Sequence, residues 1–261
     1  MHIVVLLKPV PVVGTERLDA GWRTQRTQPT QLEANGNDDY SLEKALKLVD
    51  AHGGEVSLLT MGPPSALDTL RKALAMGATR AYHVQDERLA GSDARATVDV
   101  LTAALRRLTF DMLFCGADTS DGQGGIVGAA LAARLGLPYL SYASEIEPAP
   151  DGSAVRIHRL SPTGYDVLEA GTPAVVMGTQ LLGEPRYPSL RGIMQARNKE
   201  VAVWSLDDLG LDPGSVGAAA ATSAVLGADP PPQRGGARIV KDAPDAAVAQ
   251  VVEFLASRRL I

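Results

Sequence analysis

Cysteine is almost missing from this chain. The 261 residues contain one, Cys115, which excludes an internal disulfide and any metal centre built from several thiolates. Aromatic residues are also scarce at 4%, so the core must be aliphatic. A basic excess is lacking. The formal net charge is −5, whereas sequence-independent nucleic-acid binding needs a positive footprint. The opening MHIVVLLKP has no charged segment ahead of its apolar run, and that run is far too short to span a bilayer. Neither membrane insertion nor a secretory leader is expected, and the cytoplasm is the default compartment. His2, His52, His83 and His158 are scattered, without metal-ligand spacing or an adjacent nucleophile motif. No metal and no catalytic residue is assigned; a satisfied or solvated side chain is expected for each.

What is present suits one large domain, or one domain with an extension: 45% hydrophobic residues against 21% charged. Apolar runs at 2–7, 55–60, 80–84, 110–115 and 173–177 have the character of strands buried on both faces of a parallel sheet. Helical patterns lie between them. One opens at Asp39-Tyr40-Ser41 and stops at Gly53-Gly54; a second opens at Pro64-Ser65 and stops at Gly77. A third is capped by Ser92-Asp93 and runs to about Leu108, and a fourth spans Gly124 to Leu135. The alternation predicts an α/β fold, a doubly wound and mostly parallel Rossmann-like sheet. Residues 139–172 break the pattern and predict two or three antiparallel strands as an extension. From Leu211 to Arg238 the chain is rich in Ala, Gly and Pro and predicts an extended arm, followed by a helix at 245–258. The expected division is therefore 1–210 for the α/β domain and 211–261 for the arm and its terminal helix.

Ligands of open parallel sheets bind beyond the carboxyl ends of the strands. The fourth strand is followed by Gly116, Ala117, Asp118, Thr119, Ser120, Asp121, Gly122, Gln123, Gly124, Gly125, Ile126 and Val127, feeding a helix. Its glycines would let backbone N–H groups approach a phosphate beside the positive end of the helix dipole. Asp118 and Asp121 would suit a ribose hydroxyl or cap the loop itself; a plain tight turn is the competing explanation. The stretch 182–199, LGEPRYPSLRGIMQARNK, has a different character. Pro185 and Pro188 stiffen it, and an isolated Leu190 precedes a short helix-forming run, Ile193 to Arg197. A stiff loop loses little entropy when a partner grips it.

These segments resemble the electron transfer flavoprotein β subunit family over nearly the whole chain. GEPRY with the following IM-helix resembles the family signature. VVLLKPVP, ANGNDDYSLEKAL, MGPPSALDTLRKALAMGATRAYHV and GADTSDGQGGIVG resemble its other landmarks. The resemblance implies an electron carrier subunit rather than an enzyme. It would pair with an FAD-binding α subunit and take electrons from flavin dehydrogenases toward a quinone reductase. It implies a structural AMP held by Leu6, by Asn35, Gly36, Asn37 and Asp38, by Met61, and by the loop from Gly116 to Val127. It implies dehydrogenase docking through Glu184, Pro185, Arg186, Tyr187, Leu190, Ile193 and Met194, with Leu190 as the anchor. Arg159 would face the flavin domain of the α subunit, and the arm would pack on that subunit.

Several residues depart from the family pattern. AGSDARAT at 90–97 resembles the electron-bifurcating branch, in which a second FAD takes the place of AMP. Leu160 stands where a Glu is usual, Val10-Pro11-Val12 replaces VPD, and the docking helix has fewer lysines. A remoter alternative is an ATP-binding or adenylating protein of the same fold. Lys8-Pro9-Val10-Pro11 lacks the glycines and hydroxyl that an adenylating loop requires.

Overall fold

A computed structural model describes residues 1–27, 30–229, 235–237 and 239–261. The elements in chain order are β1 (His2–Leu6), β2 (Pro9–Pro11), β3 (Leu32–Ala34), α1 (Gly36–His52), β4 (Glu55–Met61), α2 (Ala66–Met76), β5 (Arg80–Val84) and α3 (Ala94–Leu105). They continue with β6 (Met112–Gly116), α4 (Val127–Leu135), β7 (Tyr139–Pro148), β8 (Ala154–Ser161), β9 (Gly164–Gly171), β10 (Ala174–Gly178), α5 (Leu190–Ala196) and β11 (Val201–Trp204). Short helices α6 (Leu206–Leu209) and α7 (Gly217–Ala220) precede α8 (Pro244–Ser257).

Nine of the strands form one sheet in the order β11-β5-β4-β1-β6-β10-β7-β8-β9, and β2 pairs with β3 in a separate two-stranded antiparallel sheet. Pairing is parallel from β11 to β7 and antiparallel through β8 and β9, so the expected extension is present. Both faces of the parallel part are covered. Ile3 and Val5 of β1 join Leu42, Leu46, Leu70, Leu74 and Phe114 on the α1/α2 face. Val4 and Leu6 join Leu59, Val98, Leu101, Leu105, Leu113 and Leu131 on the α3/α4 face. Alternate side chains of one strand thus serve two cores, which is why β1 reads as a continuous apolar run. This is the doubly wound architecture expected from the sequence.

The boundaries shift for local reasons. α1 begins at Gly36 rather than Asp39, because Asn35 takes the extended N-cap position and its C=O accepts from Asp38 N at 2.9 Å. β6 begins at Met112 rather than Phe110. Asp111 is instead tied to the chain start, its Oδ2 accepting from His2 N at 2.7 Å. α4 begins at Val127 rather than Gly124, since Gln123 and Gly125 adopt φ of 45° and 61°, which no α-helix accepts. β2, β3 and β11 had no counterpart in the sequence reading.

One compact unit runs from Met1 to Leu226 and a second from Gly227 to Ile261. The stretch after Leu211 is not extended at its outset. Pro213–Ser215 form a 3-10 turn, α7 follows, and Val216 is buried. The second unit carries α8, close to the expected 245–258.

Candidate functional site

The order of the sheet reverses between β1 and β6. From β1 the chain builds outward through β4 and β5 on one side; from β6 it builds through β10 on the other. Neighbouring crossovers diverge at such a point and leave a crevice at the carboxyl edge. Lys8 follows β1 there, and the loop from Gly116 to Ile126 links β6 to α4 on the same edge.

Asp38, buried in the first turn of α1, ties these exits together. Its Oδ2 accepts from Lys8 N at 2.8 Å and its Oδ1 from Gly116 N at 3.1 Å. Burial pushes its pKa up to about 7, against the opposing pull of Lys8 N, Asn35 and Gly116 N. Gly116 has no alternative here, since a Cβ would stand 2.5 Å from Asp38 Oδ1. Asn35 is buried too. Its Nδ2 donates to Asp118 O at 2.8 Å and its Oδ1 accepts from Ser120 N at 3.2 Å. Asn37 Nδ2 donates to Asp118 Oδ1 at 2.7 Å. The start of α1 therefore templates the first half of the loop.

The second half turns outward. Gln123 N donates to Thr119 O at 2.8 Å and Gly122 N to Thr119 Oγ1 at 3.3 Å. Gly122 to Ile126 are exposed. Among the described residues, the N–H groups of Gly124, Gly125 and Ile126 meet no protein acceptor. A Cβ on Gly124 would meet nothing, so packing within the chain does not call for glycine there. Leu6 is buried at the end of β1, Met61 half-buried at the end of β4, and Ala117 half-buried at the loop start. The residues expected around a nucleotide thus all lie along one edge.

The two loop carboxylates are engaged by the protein itself. Asp118 takes Asn37, as above. The Asp121 side chain is only 3% exposed and sits between two cations, Lys8 Nζ at 2.8 Å and the Arg26 guanidinium. Burial opposes its charge, yet these partners win and hold its carboxyl below the ordinary carboxylate range. Lys8 shows the reverse: desolvation outweighs Asp121, and its pKa falls below that of a free lysine. Sequence reasoning missed both cations. Lys8 was legible as the residue that ends the apolar run of β1; Arg26 lies in a polar stretch that offers no pattern.

The 90–97 segment is a clasp for the chain's own arm. Ser92 Oγ accepts from Gly217 N at 3.0 Å. Asp93 Oδ1 caps α3 through Ala96 N at 2.9 Å, and its Oδ2 accepts from Thr222 N at 2.7 Å, Thr222 Oγ1 at 2.9 Å and Ser223 N at 3.2 Å. These donors, Ala96 N first, lower the Asp93 pKa to about 2.

The proline-stiffened segment presents Tyr187 at 96% exposure and Leu190 at 82%, with Glu184, Ile193 and Met194 also exposed and Pro185 half-buried. Arg186 differs from its neighbours. It turns onto its own domain, donating from Nε to Glu43 at 2.8 Å and from Nη2 to Asp50 at 2.9 Å. Behind the exposed face, α5 is clamped to α2. Arg71 Nη1 donates to Ala196 O at 2.8 Å and Lys199 Nζ to Leu74 O at 2.9 Å. Gly192 lies so close that a Cβ would stand 2.3 Å from Ala75 O.

Arg159 forms a cross-strand pair with Asp166 at 2.7 Å, and Leu160 beside it is exposed. Three histidines are partnered: His2 with Ser57 Oγ at 2.8 Å, His83 with Gly62 O at 2.9 Å, and His158 with Glu145 at 3.1 Å. Cys115 is buried, and desolvation pushes its thiol up to about 12, so it packs as a small hydrophobe.

The sequence model of the electron transfer flavoprotein domain matches residues 27–209. The β subunit of the electron transfer flavoprotein of Thermoanaerobacterium thermosaccharolyticum is 34% identical over the full length of both chains. The chain belongs to the electron transfer flavoprotein β subunit family. The β subunit of Mycobacterium leprae is 36% identical over all of this chain and 99% of its own. The protein FixA of Azorhizobium caulinodans is 39% identical over 81% of this chain and 78% of its own. As an electron transfer flavoprotein β subunit, the chain serves electron transfer within a flavin-containing complex. Among its described residues no helix is long and apolar enough to cross a membrane. The carboxyl edge fits an adenylate: it offers exposed glycine amides and half-buried cations, and leaves open space at Gly124.

Proposed function

We propose that this β subunit pairs with an FAD-binding α subunit to form a cytoplasmic electron carrier. It would accept electrons from flavin dehydrogenases and deliver them to a quinone reductase. The flavin supplies the redox chemistry; this chain supplies scaffold, nucleotide site and docking surface and performs no catalysis of its own. The observation that carries the nucleotide part is the glycine loop at the strand-order reversal, held open by Asn35, Asn37 and Asp38. AMP is the ligand proposed, placed along Leu6, Asn35–Asp38, Met61 and Gly116–Val127. It favours AMP over a second FAD that Ser92 and Asp93, the side chains shared with the bifurcating branch, are engaged by the chain's own residues 217–223. Tyr187, Leu190, Ile193 and Met194 form the surface that meets dehydrogenases, with Leu190 as its anchor and Glu184 and Pro185 at its border. Arg159, beside the exposed Leu160, faces the flavin domain. The chain beyond Leu226 packs on the α subunit.

Denaturing the purified complex and identifying the released nucleotides tests this reading. One AMP per FAD supports it. Two FAD without AMP would replace it with the bifurcating arrangement. A chain that never co-purifies with a flavin-bearing subunit would sink it.

A further inference from the structure

Residues 12–27, in the connection that follows β2, were given no role by any motif, yet they cross the mouth of the site. Within this stretch Leu18 bridges Thr24 in antiparallel fashion, and Asp19 Oδ1 accepts from Gly21 N at 2.7 Å and Arg23 N at 3.0 Å, so residues 18–24 form a small closed hairpin. The Arg23 guanidinium lies against Gly91, beyond β5: its Cζ would stand 3.0 Å from a Cβ placed there. Ser65, beyond β4, donates its hydroxyl to Arg26 O, and the Arg26 guanidinium grips Asp121, beyond β6. The strap is thus fastened above three different strands of the parallel edge.

At its fastening point the charges do not balance. Lys8 and Arg26 converge on the single carboxylate of Asp121, and Thr119 Oγ1, 3.2 Å from Lys8 Nζ, carries no charge. Asp38 meets Lys8 through the backbone N–H and not through the ammonium. Among the described residues one positive charge is left without a paired carboxylate, half-buried, on the same loop edge as the exposed Gly124, Gly125 and Ile126. A half-buried cation without a matching anion is unfavourable, and a phosphate oxygen is a strong charge-assisted acceptor for both an ammonium and a guanidinium.

We propose that Lys8 and Arg26 form a cationic clamp for the phosphate of a bound adenylate, with Asp121 as the internal anion that shares them, and that the strap carrying Arg26 closes over the ligand. The proposal rests on the adenine-nucleotide reading above and adds two side chains and a covering segment to it. A free AMP and the adenosine diphosphate half of an FAD offer the same phosphate chemistry.

The test uses the complex with the flavin subunit, freed of loosely held nucleotide on charcoal and titrated calorimetrically with AMP and with adenosine. Nucleotides released from untreated wild type by denaturation are identified by mass, which separates AMP from FAD as the source. Lys8→Met and Arg26→Met are each expected to weaken AMP by about tenfold while leaving adenosine nearly unchanged, and Lys8→Arg is expected to keep most of the affinity. Asp121→Asn, which frees both cations, is expected to tighten AMP, and weaker AMP binding in that variant would overturn the clamp. Equal losses for AMP and adenosine would also overturn it, as would a Lys8→Met/Arg26→Met double variant that holds AMP like wild type. Wild type that binds no adenylate in any form would instead overturn the nucleotide reading itself.

Discussion

Arg186 and Glu43 join the exposed docking segment to the middle of α1. Arg186 donates to Glu43 from its backbone N–H at 3.1 Å and from Nε at 2.8 Å, and the Glu43 side chain is only 3% exposed. Removing a partner from a buried carboxylate leaves its desolvation uncompensated. The backbone N–H of residue 186 still donates in an alanine variant, and Lys47, 3.5 Å away, replaces part of the lost charge, but the hydrogen bonds of the guanidinium are gone. Arg186→Ala is therefore expected to lower stability by about 1–3 kcal/mol, read by urea unfolding. An unchanged midpoint would show that Lys47 suffices.

Leu190 tests the opposite kind of residue. It is 82% exposed and supports no core, so Leu190→Ala is expected to leave the melting temperature within about 1 °C of wild type. Electron transfer from the cognate dehydrogenase should slow several-fold, since a central apolar anchor typically carries much of the contact energy. An unaltered rate with that dehydrogenase would remove Leu190 from the docking role.

Gly192 separates the docking helix's position from its surface. A methyl group there would meet Ala75 O at 2.3 Å, forcing α5 away from α2. Gly192→Ala is expected to cost about 1–3 kcal/mol, the usual range for overpacking, and to impair docking although no exposed side chain changes. Calorimetric unfolding beside dehydrogenase kinetics checks both. Normal stability would mean that α5 shifts freely.

The pH dependence follows from Asp38 and Asp39. Burial pushes their pKa values up to about 7 and about 6. The folded chain therefore binds these protons more tightly than the unfolded one. The contribution is fully present below an unfolded carboxylate's pKa of about 4 and is lost as pH rises toward 7, with a slope of at most about 1.4 kcal/mol per unit per group. Denaturant midpoints across this range should decline with pH, and Asp38→Asn should flatten part of that decline. The same substitution should also cost a hydrogen bond, because Lys8 N and Gly116 N bond different oxygens and the amide nitrogen that replaces one of them cannot accept. A decline that Asp38→Asn leaves intact would assign it elsewhere.

Asp93 gives the complementary case. Asp93→Ala removes the cap of α3 and the acceptor for Thr222 and Ser223. A cost of about 0.5–2 kcal/mol is expected from the lost cap, together with faster proteolysis between residues 220 and 229. Wild-type resistance to protease would mean that other contacts hold this stretch.

The parallel core was legible because β1, β4, β6 and β10 are buried on both faces and so are predominantly apolar, with Ser57 and Thr60 as the polar residues inside β4. The edge elements were not. β11 is four residues long and half-exposed, and β2 and β3 are three each, too short for periodicity to register. The glycine loop was found by position and composition, and its neighbours at Asn35 to Asp38 by resemblance. Arg26 escaped because its role depends on a fold-back that brings it to Asp121, 95 residues away. The start of the arm was misjudged for a related reason. Ala and Gly carry little side-chain area, but close approach of backbone to Ser92 and Asp93 needs little.

The docking segment lies between β10 and β11, which occupy positions five strands apart in the sheet, a span of roughly 24 Å at the usual strand spacing. It is consequently a tie rod across the molecule as well as a display surface. Its outward side chains are free to vary and so to retune the choice of redox enzyme by simple substitution. An inserted or deleted residue would instead slacken or tear the crossing, so divergence in this segment should proceed by exchange of residues at constant length.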